Sequence, residues 1–343
     1  MLRRHARRER DSDRWAGGGP VDLEQRRTRR AEQRLRQRRR RRLLAGGLLA
    51  AGLLVAAAVV LASSGGAAHK TRRQLATAPP AHARSKRAPR SPKARGGGVA
   101  TGHPGSEPAP VLMYHVIAAP PAGAPFPGLY VPPAEFAEQM RALKRAGWVA
   151  VTPDELIAYW RRGVSLPPGK PIVLTFDNGY QSQFTQALPV LRRLGWVAEE
   201  NIQLTGLPPS QGGLGTDEIR GLIAAGWELD TQGISHADLI TLSPSELREQ
   251  VAGARRTIQR RFHVPVNWFC YPSGHYDDTV VAEVRAAGYA GSTTVVPGWA
   301  HPHEDPYRMH RLRVLGGTSG AALLQLIADT SGDPPAPASY SGG

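Results

Sequence analysis

The stretch Pro171-Ile172-Val173-Leu174-Thr175-Phe176-Asp177-Asn178-Gly179-Tyr180 decides how the rest of the chain is read. Ile172 to Phe176 are apolar or β-branched without a break, and Pro171 and Gly179 bound them. A short apolar run with such punctuation predicts a strand buried on both faces, the kind found in parallel sheets covered by helices. Where the strand stops, a carboxylate, an amide and a phenol follow in quick succession. In α/β folds the C-terminal ends of the strands are where ligands bind and chemistry is done.

Outward from this strand the same texture repeats. On the N-terminal side, Val111 to His115 reads as a strand. Pro133 to Ala146 reads as a helix with Phe136, Met140 and Leu143 on one face. Trp148 to Val151 is strand-like and Asp154 to Arg161 helical. On the C-terminal side, helices over Thr185–Leu194, Thr216–Ala225, Ser243–Phe262, Asp277–Ala287 and Ser319–Asp329 alternate with strand candidates. Those candidates are Asn201–Leu204, Glu228–Thr231, Asn267–Cys270, Tyr289–Thr293 and Leu312–Leu315. Ser243 with Glu246 makes a capping box, and Gly195, Gly226 and Gly288 stand where helices should end. Repeated β-then-α units predict parallel strands with helical crossovers, hence an α/β barrel or a doubly wound sheet.

Three of the strand ends carry polar clusters: Thr175 to Tyr180, Asp230 to His236, and Cys270 to Tyr276. Taken singly, each also reads as an ordinary turn, because Asp, Asn, Ser and Gly cap helices and tighten loops. Three of them at one end of one sheet point to a site. Cys270 is the only cysteine, which excludes a disulfide within the chain. Its apolar neighbours mark it as a small buried side chain.

In order and spacing these clusters resemble the polysaccharide deacetylase family (the NodB-homology domain, carbohydrate esterase family 4). The motifs that carry the resemblance are TFDNGY at Thr175–Tyr180, QGISH at Gln232–His236 after Gly226-Trp227-Glu228-Leu229, and YPSG at Tyr271–Gly274. The opening Pro110 to His115 and the closing Asp305-Pro306-Tyr307 with Arg311 to Val314 are also similar. The resemblance spans residues 109–330 and implies a distorted (β/α) barrel. It implies N-deacetylation of a glycan, in which a divalent metal such as zinc polarises the acetyl carbonyl and binds the attacking water. It assigns Asp177 as the base and positions 178, 232 and 236 as metal ligands. The substrate groove would include Tyr114, His115, Tyr180, Tyr271, Pro272 and Gly274.

The ligand positions depart from that pattern. Asn178 stands where an aspartate is expected and Gln232 where a histidine is expected; His236 matches. Amide oxygens bring no negative charge, and zinc favours thiolate, imidazole and carboxylate. His275, His301, His303 and His310 are candidates for the acid that protonates the departing amine, and spacing selects none of them. Two readings follow. One is a deacetylase with a rebuilt site that draws on Asp177, His236 and either His115 or Asp230. The other is a pseudoenzyme that binds glycan, with Tyr114, Tyr180, Tyr271, Tyr276 and Trp299 offering ring faces to sugars.

The remaining segments set the context. The chain carries a net charge of +16, but residues 1–42 hold 17 Lys and Arg against 6 Asp and Glu, and residues 109–343 hold 18 against 21. The basicity therefore belongs to the tails, and a nucleic-acid partner does not follow from it. Leu43 to Ala62 is an uncharged apolar run preceded by the five arginines Arg38 to Arg42. It predicts one transmembrane signal-anchor helix with the basic tail 1–42 cytoplasmic and the C-terminal domain extracellular. Residues 63–108 predict a disordered linker and 331–343 a disordered tail. The basic segments suit contact with anionic cell-wall polymer or lipid.

Overall fold

The computed structural model describes residue 100 and residues 102–205, 207, 212–332 and 335–342. The basic tail 1–42, the apolar run 43–62 and most of the linker 63–108 lie outside the described residues. Among the described residues no helix is long and apolar enough to cross a membrane.

The elements follow one another as the hydrophobic pattern predicts. Strands β1 (Ala109–Tyr114), β2 (Trp148–Val151) and β3 (Lys170–Asn178) are separated by helices α1 (Pro133–Arg145) and α2 (Pro153–Arg162). Helix α3 (Leu188–Leu194), strand β4 (Glu199–Ile202), helix α4 (Thr216–Ala224) and strand β5 (Glu228–Thr231) come next. The long helix expected over Ser243–Phe262 is two helices, α5 (Pro244–Arg248) and α6 (Ala254–Phe262), joined through the wider turn Glu249–Gly253. Its start is capped as predicted: Ser243 N donates to Glu246 Oε2 at 2.9 Å and Ser243 Oγ accepts from Glu246 N. Strand β6 (Trp268–Cys270), helix α7 (Asp278–Ala286), strands β7 (Gly291–Thr293), β8 (Trp299–Ala300) and β9 (Leu312–Arg313) and helix α8 (Gly320–Asp329) complete the order.

The strands lie in the order β7-β6-β5-β4-β3-β1, parallel throughout, and β2 pairs with β3 beside this path. β8 is antiparallel to the start of β1, with Ala109 opposite Ala300. β9 runs parallel to β1 through Leu112↔Leu312, and just before it Met309 bridges to Thr293 of β7. Residues 309–313 thus join the β7 edge to β1, and the sheet curls into an incomplete barrel.

Strand alternation divides the core. Leu112 and Tyr114 of β1 and Ile172, Leu174 and Phe176 of β3 point outward and pack with Phe136, Met140, Leu191, Leu323 and Ile327 of the helices. Val111 and Val173 point the other way and join Trp268 and Met309. A separate cluster forms where Leu229 and Phe269 meet Val251, Ile258 and Val280. Phe176 is stacked on Trp227 and on Tyr114, with ring centroids 5.0 and 5.5 Å away. Residues 335–342 of the tail, expected to be disordered, lie against the domain: Tyr340 forms an antiparallel bridge with Tyr276.

Candidate active site

The inward face of β3, β4 and β5 is polar where the strands end. Register sets Asp177, Asn201 and Asp230 side by side in one row, and Thr175, Glu199 and Glu228 in the row beneath. Into this interior comes Arg311 from the segment that closes the barrel. All five of its N–H groups find acceptors. Nη1 donates to Asp177 Oδ1 at 2.8 Å and to Thr175 Oγ1 at 3.0 Å. Nη2 donates to Asp177 Oδ2 at 2.9 Å and to the Cys270 sulfur at 3.1 Å. Nε donates to the Thr294 carbonyl at 2.8 Å. The pairing of guanidinium and carboxylate is bidentate, and both residues are about 1% exposed.

These contacts decide the charge of each group. Burial alone would push the Asp177 carboxyl up; the Arg311 guanidinium, with help from His115 and from Asn201 Nδ2 at 3.2 Å, outweighs it and holds Asp177 below the ordinary aspartate range. Asp177 is an anion at neutral pH. Its neighbours are the reverse. Burial, reinforced by the charges of Asp230 and Arg311's partner Asp177, pushes Glu199 well up. Burial and the Asp177 charge do the same to Glu200. Burial raises Asp230 to about 8, although its Oδ1 accepts the backbone N–H of Asn267 and Trp268 at 2.7 and 2.8 Å. The interior thus carries one fixed ion pair beside Glu199 and Asp230, which hold protons, while Glu200, in register with outward-pointing Phe176, lies on the other face of the sheet.

Around the mouth stand His115, Asn178, Gln232 and His236. His115 Nε2 is 3.9 Å from Asp177 Oδ2. Burial lowers His115 to about 4, with Arg311, Arg313 and His236 adding to the effect against the pull of Asp177. It is a neutral imidazole at physiological pH. Burial lowers His236 as well. Asn178 and His236 have left-handed backbone, with φ of 80° and 53°. Such conformations in non-glycine residues cluster at binding sites. The Asn178 amide donates Nδ2–H to the Tyr180 hydroxyl at 3.1 Å. Asn178 Oδ1, Gln232 Oε1 and His115 Nδ1 are buried and have no hydrogen-bond partner. A groove of about 520 Å³ adjoins this corner. Val116, Ile117, Tyr130, Gln181, Ser182 and Thr185 are among the residues that line it, and none of its lining side chains is charged.

Comparison with known proteins finds polysaccharide deacetylases. Residues 165–292 match the family model described as polysaccharide deacetylase. YxkH of Bacillus subtilis strain 168, whose name places it among polysaccharide deacetylases, is 29% identical over 215 residues, covering 62% of this chain and 74% of that one. Residues 165–292 thus carry a polysaccharide deacetylase domain. The structure of the Streptococcus pyogenes deacetylase PplD, solved with acetate, aligns at TM-score 0.60 and 25% identity over 65% of this chain and 99% of that one. BC0361, a polysaccharide deacetylase from Bacillus cereus, aligns at TM-score 0.57 and 27% identity, covering 64% and 69%. The expected distorted barrel is the fold observed.

The donors present do not fit the divalent metal that the family implies. Asn178 and Gln232 offer neutral amide oxygens, His236 one imidazole, and Asp177 has both oxygens engaged by Arg311. Asp230 serves the backbone of β6 and is no spare ligand. Among the described residues no group of three or more His, Cys, Asp or Glu stands where it would hold a metal ion.

The structure rearranges the expected groove. Tyr114 is a core residue: it packs edge-on to Phe136, and its hydroxyl donates to Gln139 at 2.9 Å. Tyr271 is equally buried, its hydroxyl on the Tyr307 carbonyl at 2.9 Å. Trp299 lies by the start of β1, at the far end of the sheet, with its ring against Trp148. His301 follows it there, with His303 beside it and Glu304 bonded to His310. Tyr180 and His115 stay at the mouth. Pro272 and Gly274 are buried in the turn after β6. Gly274 has φ of 74°, and a Cβ on it would stand 2.2 Å from Val295, so only glycine serves there. His275 bonds to Asp238, two residues after His236, at 3.1 Å. Arg311 was not among the expected site residues; the visible sign was an arginine set directly before an apolar strand.

Replacing Arg311 with Met fills similar volume but leaves the Asp177 charge buried without its partner. We expect the unfolding free energy of the full-length chain to fall by about 3–5 kcal/mol, read as a lower denaturant midpoint at constant slope. An unchanged midpoint would show that the pair does not hold the barrel together.

Proposed function

We propose that this domain recognises an N-acetylated cell-wall or extracellular glycan at the strand ends, and that recognition has replaced metal-assisted hydrolysis. The observation that carries this is the pair of buried acceptors, Asn178 Oδ1 and Gln232 Oε1, left without partners at the positions of two family ligands. Buried polar atoms are satisfied as a rule, so these oxygens call for donors. An N-acetyl sugar brings both kinds needed: an acetamido N–H and hydroxyls. The uncharged groove suits neutral sugar units on either side. The likeness to polysaccharide deacetylases supports a glycan as the ligand class.

A second reading, hydrolysis of the acetamide carbon–nitrogen bond without the usual metal set, has one observation in its favour. Asp177 is ionised and lies beside neutral His115. With both Asp177 oxygens held by Arg311, that carboxylate is poorly placed to accept a proton from water.

The test is calorimetric titration of the full-length chain with an N-acetylglucosamine pentamer and with its fully deacetylated form. The acetylated pentamer should bind at least about tenfold tighter, and Asn178→Ala and Gln232→Ala should each weaken it by about tenfold. Equal affinity for the two pentamers would rule the reading out.

We also propose that Leu43 to Ala62 anchors the domain outside the cell membrane. An apolar run of that length, with five arginines before it, supports this. The chain should sediment with membranes after carbonate washing and be released by deletion of residues 43–62. Release of the intact, uncleaved chain by carbonate would contradict it.

A further inference from the structure

We propose that residues 335–342 form a strap in cis across the rim of the glycan site, and that a long glycan chain displaces it on binding. This rests on the glycan reading above and adds a built-in competitor to it.

The strap lies on the loop that follows β6. Tyr340 N–H donates to the Tyr276 carbonyl and Tyr276 N–H to the Tyr340 carbonyl, both at 2.8 Å. The Tyr276 hydroxyl donates to the Pro337 carbonyl at 2.7 Å, and Arg308 Nη2 reaches the Ala338 carbonyl at 3.4 Å. Further along, a Cβ on Gly342 would stand 3.1 Å from His275 Nε2. The opposite ring nitrogen of His275 is the one bonded to Asp238. The segment therefore reaches from Tyr276, in the loop after β6, to His275, whose partner Asp238 lies two residues beyond His236.

The way it is held says what it can do. In each of these hydrogen bonds the strap contributes main chain. Apart from the half-buried Tyr340 it brings no large apolar side chain, and most of its residues are exposed. Segments fixed by a few solvent-exposed hydrogen bonds open readily. Release uncovers the Tyr276 N–H and carbonyl, a donor and an acceptor that sugar hydroxyls satisfy equally well. A single sugar in the mouth need not reach Tyr276; a chain of several units running past His236 toward His275 must.

Two variants of the full-length protein test this: deletion of residues 335–342, and Tyr340→Pro, which removes one donor and keeps the length. Both should tighten the N-acetylglucosamine pentamer by about three- to tenfold, the worth of one or two net hydrogen bonds. Both should leave the affinity for N-acetylglucosamine monomer unchanged. In the unaltered chain, pentamer should speed hydrogen exchange at the Tyr340 amide. Pentamer affinity that is unchanged or weaker in both variants, with the unaltered chain binding normally, overturns the strap alone. Failure of all three proteins to bind either sugar overturns the glycan reading and the strap with it.

Discussion

The fold and its site depend on one ion pair, Arg311 with Asp177, sealed inside the barrel. Two charges taken out of water are costly, and their attraction compensates only when geometry is good and every remaining donor is satisfied. Here the guanidinium meets both carboxylate oxygens and spends its other N–H groups on Thr175, Cys270 and Thr294. Those partners sit on β3, β6 and the end of β7. The arginine itself is on the segment that joins the two sheet edges. One side chain thus fastens the strands that the parallel ladder alone leaves as an open, curled sheet.

The same pair shapes the chemistry. Around that pair, burial raises the carboxyls of Glu199, Glu200 and Asp230 so that they retain protons, and none supplies a free negative charge at the mouth. With amides at 178 and 232, the mouth is nearly neutral. The likeness to polysaccharide deacetylases supports a glycan as the ligand class of the proposed reading, and the side chains present are poorly suited to holding a cation. Asn178 and His236 at that mouth both have left-handed backbone.

Much of the fold was legible in the residues. β2 and β5 lie at the predicted bounds, because Trp148–Val151 and Glu228–Thr231 are closed by glycine and polar residues. β8 was not visible: two residues carry no periodicity. The wide turn at Glu249–Gly253 was hidden for the opposite reason, since it keeps helical spacing on both sides. The strand-end clusters announced the site, but the aromatic residues misled. Tyr114 and Tyr271 look like sugar platforms in the sequence, yet they belong to the core, where a buried hydroxyl needs only one backbone or amide partner. Arg311 was missed because its partner lies 134 positions away, and a long-range pair leaves no local spacing to read.

The central claim is that recognition has taken the place of metal-assisted hydrolysis, and acetate release tests it most directly. The full-length chain and the double variant Asn178→Asp, Gln232→His would be incubated with the N-acetylglucosamine pentamer, once with zinc and once with a chelator. The unaltered chain is predicted to release no acetate above blank in either condition and to retain no zinc after desalting. The double variant is predicted to retain about one zinc per chain, since a carboxylate and a second imidazole restore a fitting set. Zinc-dependent acetate release by the unaltered chain would contradict the account.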